Sequence, residues 1–294
     1  MSNGRTLITG AGGQLGSDLG TLLAERGEVW AAGHDELDVT DDAAVAAKVA
    51  DFSPSVVINC AAFHNVDECE REEDRSFEVN ARAVKRLAEA CAAAGARLVH
   101  FGTNYVFDGT RAEPYAEDDT PAPRSVYAIS KLAGEHAALA YGPGALVVRT
   151  SGLYGLRGSA SKGGNFVTRM ITRGREQDRL AMVADQRLTP TFTRDLAQAV
   201  AETVRVKVEG LLHVTNAGEC SWYEFTQAIM EIAEIDVPID PVETRSGPGV
   251  TQRPRNGVLR SARAEALGLA PLRHWREALG DYMHLAGLVP GAAR

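Results

Sequence analysis

Arg5-Thr6-Leu7-Ile8-Thr9-Gly10-Ala11-Gly12-Gly13-Gln14-Leu15-Gly16 stands at the head of the 294-residue chain, and its reading decides the fold. Residues 5–8 read as a short buried strand that ends in a glycine-rich turn. Beyond the turn, Leu15, Leu19, Leu22 and Leu23 recur at helical spacing. A strand that breaks into glycines and restarts as a helix is a form that cradles a diphosphate. Gly10 permits the tight turn, Gly13 lets the backbone approach the phosphates, and Gly16 lets the helix pack closely on the strand. Gly12, Gln14 and Leu15 complete the loop. The helix N-terminus adds amides and a favourable dipole for the anion.

Working outward, residues 29–32 form a second short apolar run, and residues 41–51 read as a helix. SVVIN (55–59) is a buried strand, and residues 76–94 are an alanine-rich helix closed by Gly95. RLVHF (97–101), residues 126–141 and ALVVR (145–149) continue as strand, helix and strand. Helices alternating with strands nearly continuous in Val, Ile and Leu give the α/β class, a doubly wound parallel sheet covered on both faces. Ligands of such sheets bind beyond the carboxyl ends of the strands. After residue 150 glycine, proline and charge become more frequent, at 155–165 and 240–257. Residues 1–150 are therefore expected to form the dinucleotide-binding domain, with segments near 185–217 returning to it. Residues 151–294 are expected to form mainly a smaller, substrate-binding part. Residues 236–249 read as a surface loop. Trp222 and Tyr223 read as packing residues ahead of a helix at 224–233, and His213 as a strand residue.

Thirty-nine acidic against 31 basic side chains leave a net charge of −8. That balance argues against a general nucleic-acid or membrane-surface role, because phosphate backbones select basic faces. No apolar run follows a basic start, and no stretch approaches the roughly 18 apolar residues of a membrane span. Cys60, Cys69, Cys91 and Cys220 are scattered without a Cys-x-x-Cys pair, the usage of reduced thiols in a cytoplasmic protein.

The second strand delivers a residue to the adenosine ribose, where a carboxylate favours NAD and a base tolerates the extra phosphate of NADP. If Gly33 ends that strand, no carboxylate sits there and His34 approaches a phosphate. If Asp35 points inward, NAD is favoured. The reading leans to NADPH, with NADH possible. Asp38 and Val39 are candidates for the adenine edge.

Tyr127 and Lys131 stand in a Tyr-x-x-x-Lys, one helical turn apart on one face. A nearby ammonium is expected to stabilise phenolate and lower the tyrosine pKa. The phenol then gives a proton to a carbonyl oxygen while hydride arrives at carbon, and the lysine also holds the nicotinamide ribose. Thr103 ends the preceding strand on the ligand side, where its hydroxyl can orient that carbonyl.

These three residues with the loop at 9–16 resemble an extended short-chain dehydrogenase/reductase. More narrowly, the chain is similar to the dTDP-4-dehydrorhamnose reductase family. The resemblance runs through Val66-Asp67-Glu68-Cys69-Glu70, Gly102 to Gly109, Val148 to Gly155, Gly164-Asn165-Phe166, Asp185-Gln186, Pro190-Thr191, Leu212 to Asn216 and Arg253-Pro254-Arg255-Asn256. It implies a Rossmann domain with a small substrate domain, and reduction of the 4-keto group of dTDP-4-dehydro-L-rhamnose. Thr103, Tyr127 and Lys131 would be catalytic, and Asn59, Ala61 and Ala62, beyond a fourth strand, would line the cofactor cleft. Val66, Asn104, Tyr105, Gly152, Asn165 and Arg253 would meet the dTDP-sugar, Arg253 (and Arg255) through phosphate oxygens. Lys162 to Phe166 would form a loop over sugar or thymine. The protein is expected to be a monomer or homodimer.

The chain departs from that family's pattern in several places. Gly102 and Asn104 replace a usual serine and aspartate, and Gly152 replaces a tryptophan that borders the sugar, which leaves room there. Arg194 stands where some members have a glutamate linked to magnesium, so no metal is expected. Three alternatives follow. One is a 4-ketoreductase for another dTDP-deoxysugar, of antibiotic or dihydrostreptose type. Another is a non-catalytic, reductase-like regulatory subunit, against which the retained Thr103, Tyr127 and Lys131 argue. A third is an epimerase of the same superfamily.

Overall fold

The computed structural model describes residues 4–158, 163–247 and 249–289. In chain order its first half comprises β1 (Thr6–Thr9), α1 (Gln14–Ala24), β2 (Val29–Ala32), α2 (Asp42–Phe52), β3 (Val56–Asn59), α3 (Val66–Arg71), α4 (Glu73–Phe77), α5 (Ala83–Ala94), β4 (Arg97–Thr103), α6 (Val126–Tyr141) and β5 (Leu146–Thr150). The second half has β6 (Leu153–Tyr154), α7 (Phe166–Glu176), β7 (Leu180–Val183), β8 (Arg187–Leu188), β9 (Thr191–Phe192), α8 (Thr193–Arg205), β10 (Gly210–His213), β11 (Cys220–Ser221), α9 (Trp222–Ile232), β12 (Ile239–Val242), α10 (Ala262–Ala266) and α11 (Trp275–Leu285).

Six strands form one parallel sheet in the order β10-β5-β4-β3-β1-β2. Alternation along each strand sends side chains to opposite faces. Leu7, Val57, Leu98 and Val147 pack with α2 and α5 on one face. Ile8, Ile58, Val99 and Val148 pack with α1 and α8 on the other. This is the doubly wound arrangement, and the direction of strand order changes between β1 and β3, where such sheets open a ligand crevice. The segment after residue 150 contributes both β10 and α8 to this body. A separate core, rich in aromatics, joins α7, α9 and α11 through Tyr154, Phe192, Phe225 and Tyr282.

Local chemistry fixes the helix starts near the site. Ser125 caps α6 by accepting from the Ala128 amide, and Asp41 caps α2 in the same way. Gly95 closes α5 in the left-handed conformation. Between α4 and α5 the chain makes a π turn at Glu78–Arg82, an interruption the helical pattern of 76–94 did not reveal. α6 meets that turn so closely that a Cβ on Gly134 would lie 2.0 Å from the Asn80 carbonyl oxygen.

Three expectations need correction. Residues 239–242 are not loop but strand β12, parallel to β7. Trp222 and Tyr223 do not precede α9 but form its first turn, after a capping box built by Ser221 and Glu224. Asn59 is the last residue of β3 rather than a residue beyond a fourth strand. His213 ends β10, wholly buried, as a strand residue should. Among the described residues no helix is long and apolar enough to cross a membrane.

Candidate active site

The glycine loop sits where β1 meets α1, facing the end of β3. A Cβ on Gly10, at φ +68°, would fall 2.6 Å from the Ala61 nitrogen, and one on Gly16 would fall 2.5 Å from the Gly10 carbonyl oxygen. Gly12 has nothing within 4 Å of that position, so the backbone there is open to a ligand. Gly13 is the N-cap of α1, no side chain caps it, and the first turn carries no acid. An uncapped helix start behind a glycine cradle suits a dinucleotide diphosphate. Asn59 accepts from the Ala61 amide at 3.1 Å and from the Thr9 hydroxyl at 2.7 Å, which ties the Ala61-Ala62 wall to β1. Leu15 points into the core, and Gln14 accepts from the Gly155 amide at 3.0 Å, linking the loop to the second part.

At the adenosine end β2 stops at Ala32, and Asp35 is exposed. The carboxylate that meets the strand end is neither absent nor Asp35. It is Glu36, which accepts from the Gly33 amide at 2.8 Å, a residue the sequence reading missed. His34 is exposed. Asp38 closes its own turn, accepting from the Thr40 amide at 2.9 Å and hydroxyl at 2.8 Å, and Val39 is buried behind it.

Thr103, Tyr127 and Lys131 converge. Thr103 ends β4 with its hydroxyl accepting from the Tyr105 amide at 3.2 Å, and that hydroxyl also bears on the Tyr127 phenol. Tyr105 packs edge-on against Tyr127, with ring centroids 5.7 Å apart. Lys131 is buried one turn along α6. The electrostatics correct one expectation. Burial pushes the Tyr127 phenol up, only partly opposed by Thr103, so it is held protonated. The Lys131 ammonium is itself pulled down to about 8 by burial, with Glu135 opposing. Desolvation, which disfavours the charged form of each group, is the largest cause of both shifts. A protonated phenol is the form a proton donor needs.

Beneath these groups lies a polar layer absent from the sequence reading. Asn80, in the π turn, accepts from the Phe63 amide at 3.0 Å and donates to the Phe63 carbonyl at 2.8 Å and to Ser130 at 3.1 Å. It thus joins the cleft wall after β3 to the catalytic helix. His100 accepts from Asn59 at 3.2 Å and is kept neutral by burial. Glu135 and Arg149 form a buried ion pair at 2.7 Å.

The substrate side is assembled from distant segments. Arg253 places Nη2 at 3.0 Å from both Asp67 carboxylate oxygens and Nη1 at 3.5 Å from the Tyr105 hydroxyl. Val66, beside Asp67, is buried at the start of α3. Arg255 lies 3.7 Å from Asp185 on the exposed surface. A cavity of about 30 Å³ lies between Asn104, Tyr105, Ser151, Gly152, Leu188 and Trp222. Gly152 lines this cavity, but its own Cβ position is filled. It has φ +58°, and a Cβ there would lie 2.8 Å from Leu188 and 3.1 Å from Pro190. The tryptophan at this cavity is Trp222, which also packs on Phe166 with ring centroids 4.5 Å apart. Two other residues expected to meet the substrate also have structural partners. Asn104 is buried and donates to the Gly257 carbonyl at 3.0 Å. Asn165 caps α7, and its amide donates to Gly155 at 2.8 Å and to Tyr282 at 2.7 Å, so both its N–H groups are already engaged. Lys162, expected in a loop over the sugar, lies outside the described residues.

Comparison with known proteins places this geometry. The chain is 43% identical over 285 residues to a probable dTDP-4,6-dihydroxy-2-methyloxan-3-one 4-ketoreductase of Streptomyces antibioticus, covering 94% of each protein. It is 41% identical over 285 residues to the dTDP-4-dehydrorhamnose reductase of Streptomyces griseus, covering 94% of this chain and 92% of that one. A solved dTDP-4-dehydrorhamnose reductase from Bacillus anthracis, in complex with NADP, superposes with a TM-score of 0.90 at 35% identity, covering 96% of this chain and 99% of that one. A family model described as the RmlD substrate binding domain matches residues 4–286, and the chain belongs to that family.

Proposed function

We propose that this protein reduces the 4-keto group of dTDP-4-dehydro-L-rhamnose to give dTDP-L-rhamnose, with NADPH as donor and NADH accepted. The observation that carries this is the convergence of Tyr127, Thr103 and buried Lys131 beside an uncapped, glycine-lined helix start. The dinucleotide, when bound, supplies hydride to the carbonyl carbon. Gly10, Gly12, Gly13 and the first amides of α1 would hold its diphosphate. Ala61 and Ala62 would wall the cleft, His34, Asp38 and Val39 would border the adenosine, and Lys131 and Tyr127 would hold the nicotinamide ribose.

Thr103 donates a hydrogen bond to the sugar carbonyl and fixes its orientation. Tyr127 gives its proton to the carbonyl oxygen as the carbon is reduced. The Lys131 ammonium stabilises the phenolate that remains. Arg253 exchanges Asp67 for phosphate oxygens of the substrate, a charge-assisted pairing suited to its planar guanidinium. The protein works in the cytoplasm as a monomer or homodimer; its four cysteines are free thiols.

The test is oxidation of NADPH and NADH with dTDP-4-dehydro-L-rhamnose formed in place. Oxidation that depends on this sugar supports the reading. Cofactor binding without oxidation, beside rapid reduction of another dTDP-4-keto sugar, would move the assignment to that sugar.

A further inference from the structure

The working face of α6 does not end at Lys131. Glu135 follows one turn later, so Tyr127, Lys131 and Glu135 line one stripe of the helix. Glu135 is 2% exposed. Its Oε2 accepts from Arg149 Nε at 2.9 Å and Nη2 at 2.7 Å, while Oε1 has no hydrogen-bond partner. The backbone amide of Thr103 also bears on this carboxylate.

The sheet is shaped to admit that side chain. Gly102 pairs in register with Arg149, and a Cβ on Gly102 would fall 2.1 Å from Glu135 Oε1 and 2.9 Å from Arg149 Cγ. Any larger residue at 102 drives the carboxylate from its place. A buried ion pair is seldom more stable than apolar residues of the same volume. Its position, under the one helix that carries the proton donor, is better accounted for by the reaction than by stability.

We propose that Glu135 is a positioning residue: its carboxylate, anchored by Arg149 and given space by Gly102, sets the charge environment of Lys131 one helical turn away on the same face of α6. Its role in the reaction rests on the ketoreductase reading above. The groups facing Lys131 are Glu135 on its own helix, Cys60 after β3 and His100 on β4; Arg149 on β5 faces Glu135, and Tyr127 also feels Glu135. Burial keeps the Cys60 thiol and the His100 imidazole uncharged. Burial raises the Glu135 carboxyl too, but the Arg149 guanidinium and the Lys131 ammonium oppose it, which makes Glu135 the group here with cationic partners for a negative charge. Its charge opposes the desolvation that would strip the Lys131 proton, and it favours the protonated phenol of Tyr127.

The experiment is an NMR pH titration of the full chain labelled at its five lysines. Lys131→Met identifies the Lys131 signal. In the unaltered protein that signal is expected to titrate at about 8. Glu135→Gln is expected to lower the midpoint by about one pH unit or more, and Glu135→Asp, which keeps the charge, by less than about half a unit. Gly102→Ala, which displaces the carboxylate without deleting it, moves the midpoint the same way as Glu135→Gln and carries the test if that variant does not fold. An unchanged Lys131 midpoint in folded Glu135→Gln or Gly102→Ala overturns the proposal. The titration is read without sugar turnover, so failure of the ketoreductase reading leaves its outcome distinct.

Discussion

The floor of the cleft and its roof are built by different means. Tyr127, Lys131 and Glu135 sit on a single helix, over a buried layer of Asn80, His100 and Arg149. The roof takes Tyr105 and Arg253 from segments 148 positions apart, with Gly152 and Trp222 between them in sequence. Floor groups are held by backbone geometry and burial. Roof groups are held by side-chain contacts, such as the Arg253–Asp67 pair at 3.0 Å with both side chains partly exposed. The difference assigns chemistry to the rigid part and recognition to the adaptable part.

The sharpest way to break that division is Tyr127→Phe. Loss of a general acid is expected to lower kcat by roughly 10²–10⁴-fold. NADPH affinity, followed by fluorescence titration, should stay within a few-fold, because the glycine loop is untouched. Gly16→Val attacks the same body at the loop, where a Cβ already falls 2.5 Å from the Gly10 carbonyl oxygen. Overpacking there costs about 1–3 kcal/mol, so NADPH binding should weaken roughly 10- to 100-fold.

The roof should answer in KM. Arg253→Ala removes charge-assisted bonds of about 1.5–3 kcal/mol, raising KM roughly 10- to 100-fold with kcat changed far less. Asp67→Asn releases Arg253 from its partner and should lower KM. A fall in kcat as large as the rise in KM for Arg253→Ala would erase the distinction between floor and roof.

Acid should act on the sheet beneath the floor. Burial holds His213 at about 3 and His100 well below its ordinary value, so both are neutral in the folded protein. The unfolded chain binds more protons once pH falls below about 6.5, so stability is present at neutral pH and is lost as pH drops. Each histidine contributes a slope of up to about 1.4 kcal/mol per pH unit. Thermal unfolding at pH 7 and pH 5 measures this, and His213→Gln should flatten it. The smallest effect is expected at Glu36, whose carboxylate meets the end of β2. Glu36→Gln should shift the ratio of NADPH to NADH use a few-fold toward NADPH, because a charge facing the extra phosphate is removed.

The same contrast explains what the sequence made legible. The loop at 9–16 and the Tyr127/Lys131 pair are local patterns, and the backbone converts spacing directly into geometry. The sheet and the return of β10 follow from strand-like runs. Glu135 extends the Tyr-x-x-x-Lys spacing by one more turn, so its signal lies in the Tyr-x-x-x-Lys-x-x-x-Glu series. Asn80 had none, because a π turn inside a helical pattern has no periodic signature. Asn165 and Asn104 were placed against substrate by resemblance, whereas capping and a bond to Gly257 engage them, relations set by tertiary packing. Gly152 suggested empty space because a missing side chain says nothing of what packs in from β8 and Pro190.

The central claim is hydride delivery to C4 of the sugar with proton donation from Tyr127. The most direct measurement uses NADPH deuterated at the transferring position, with dTDP-4-dehydro-L-rhamnose, and NMR of the product. The account predicts one deuterium at C4 of dTDP-L-rhamnose with the unaltered protein and almost none with Tyr127→Phe. Deuterium at C4 formed equally fast by Tyr127→Phe, or no transfer to this sugar by a protein that binds NADPH, would contradict it.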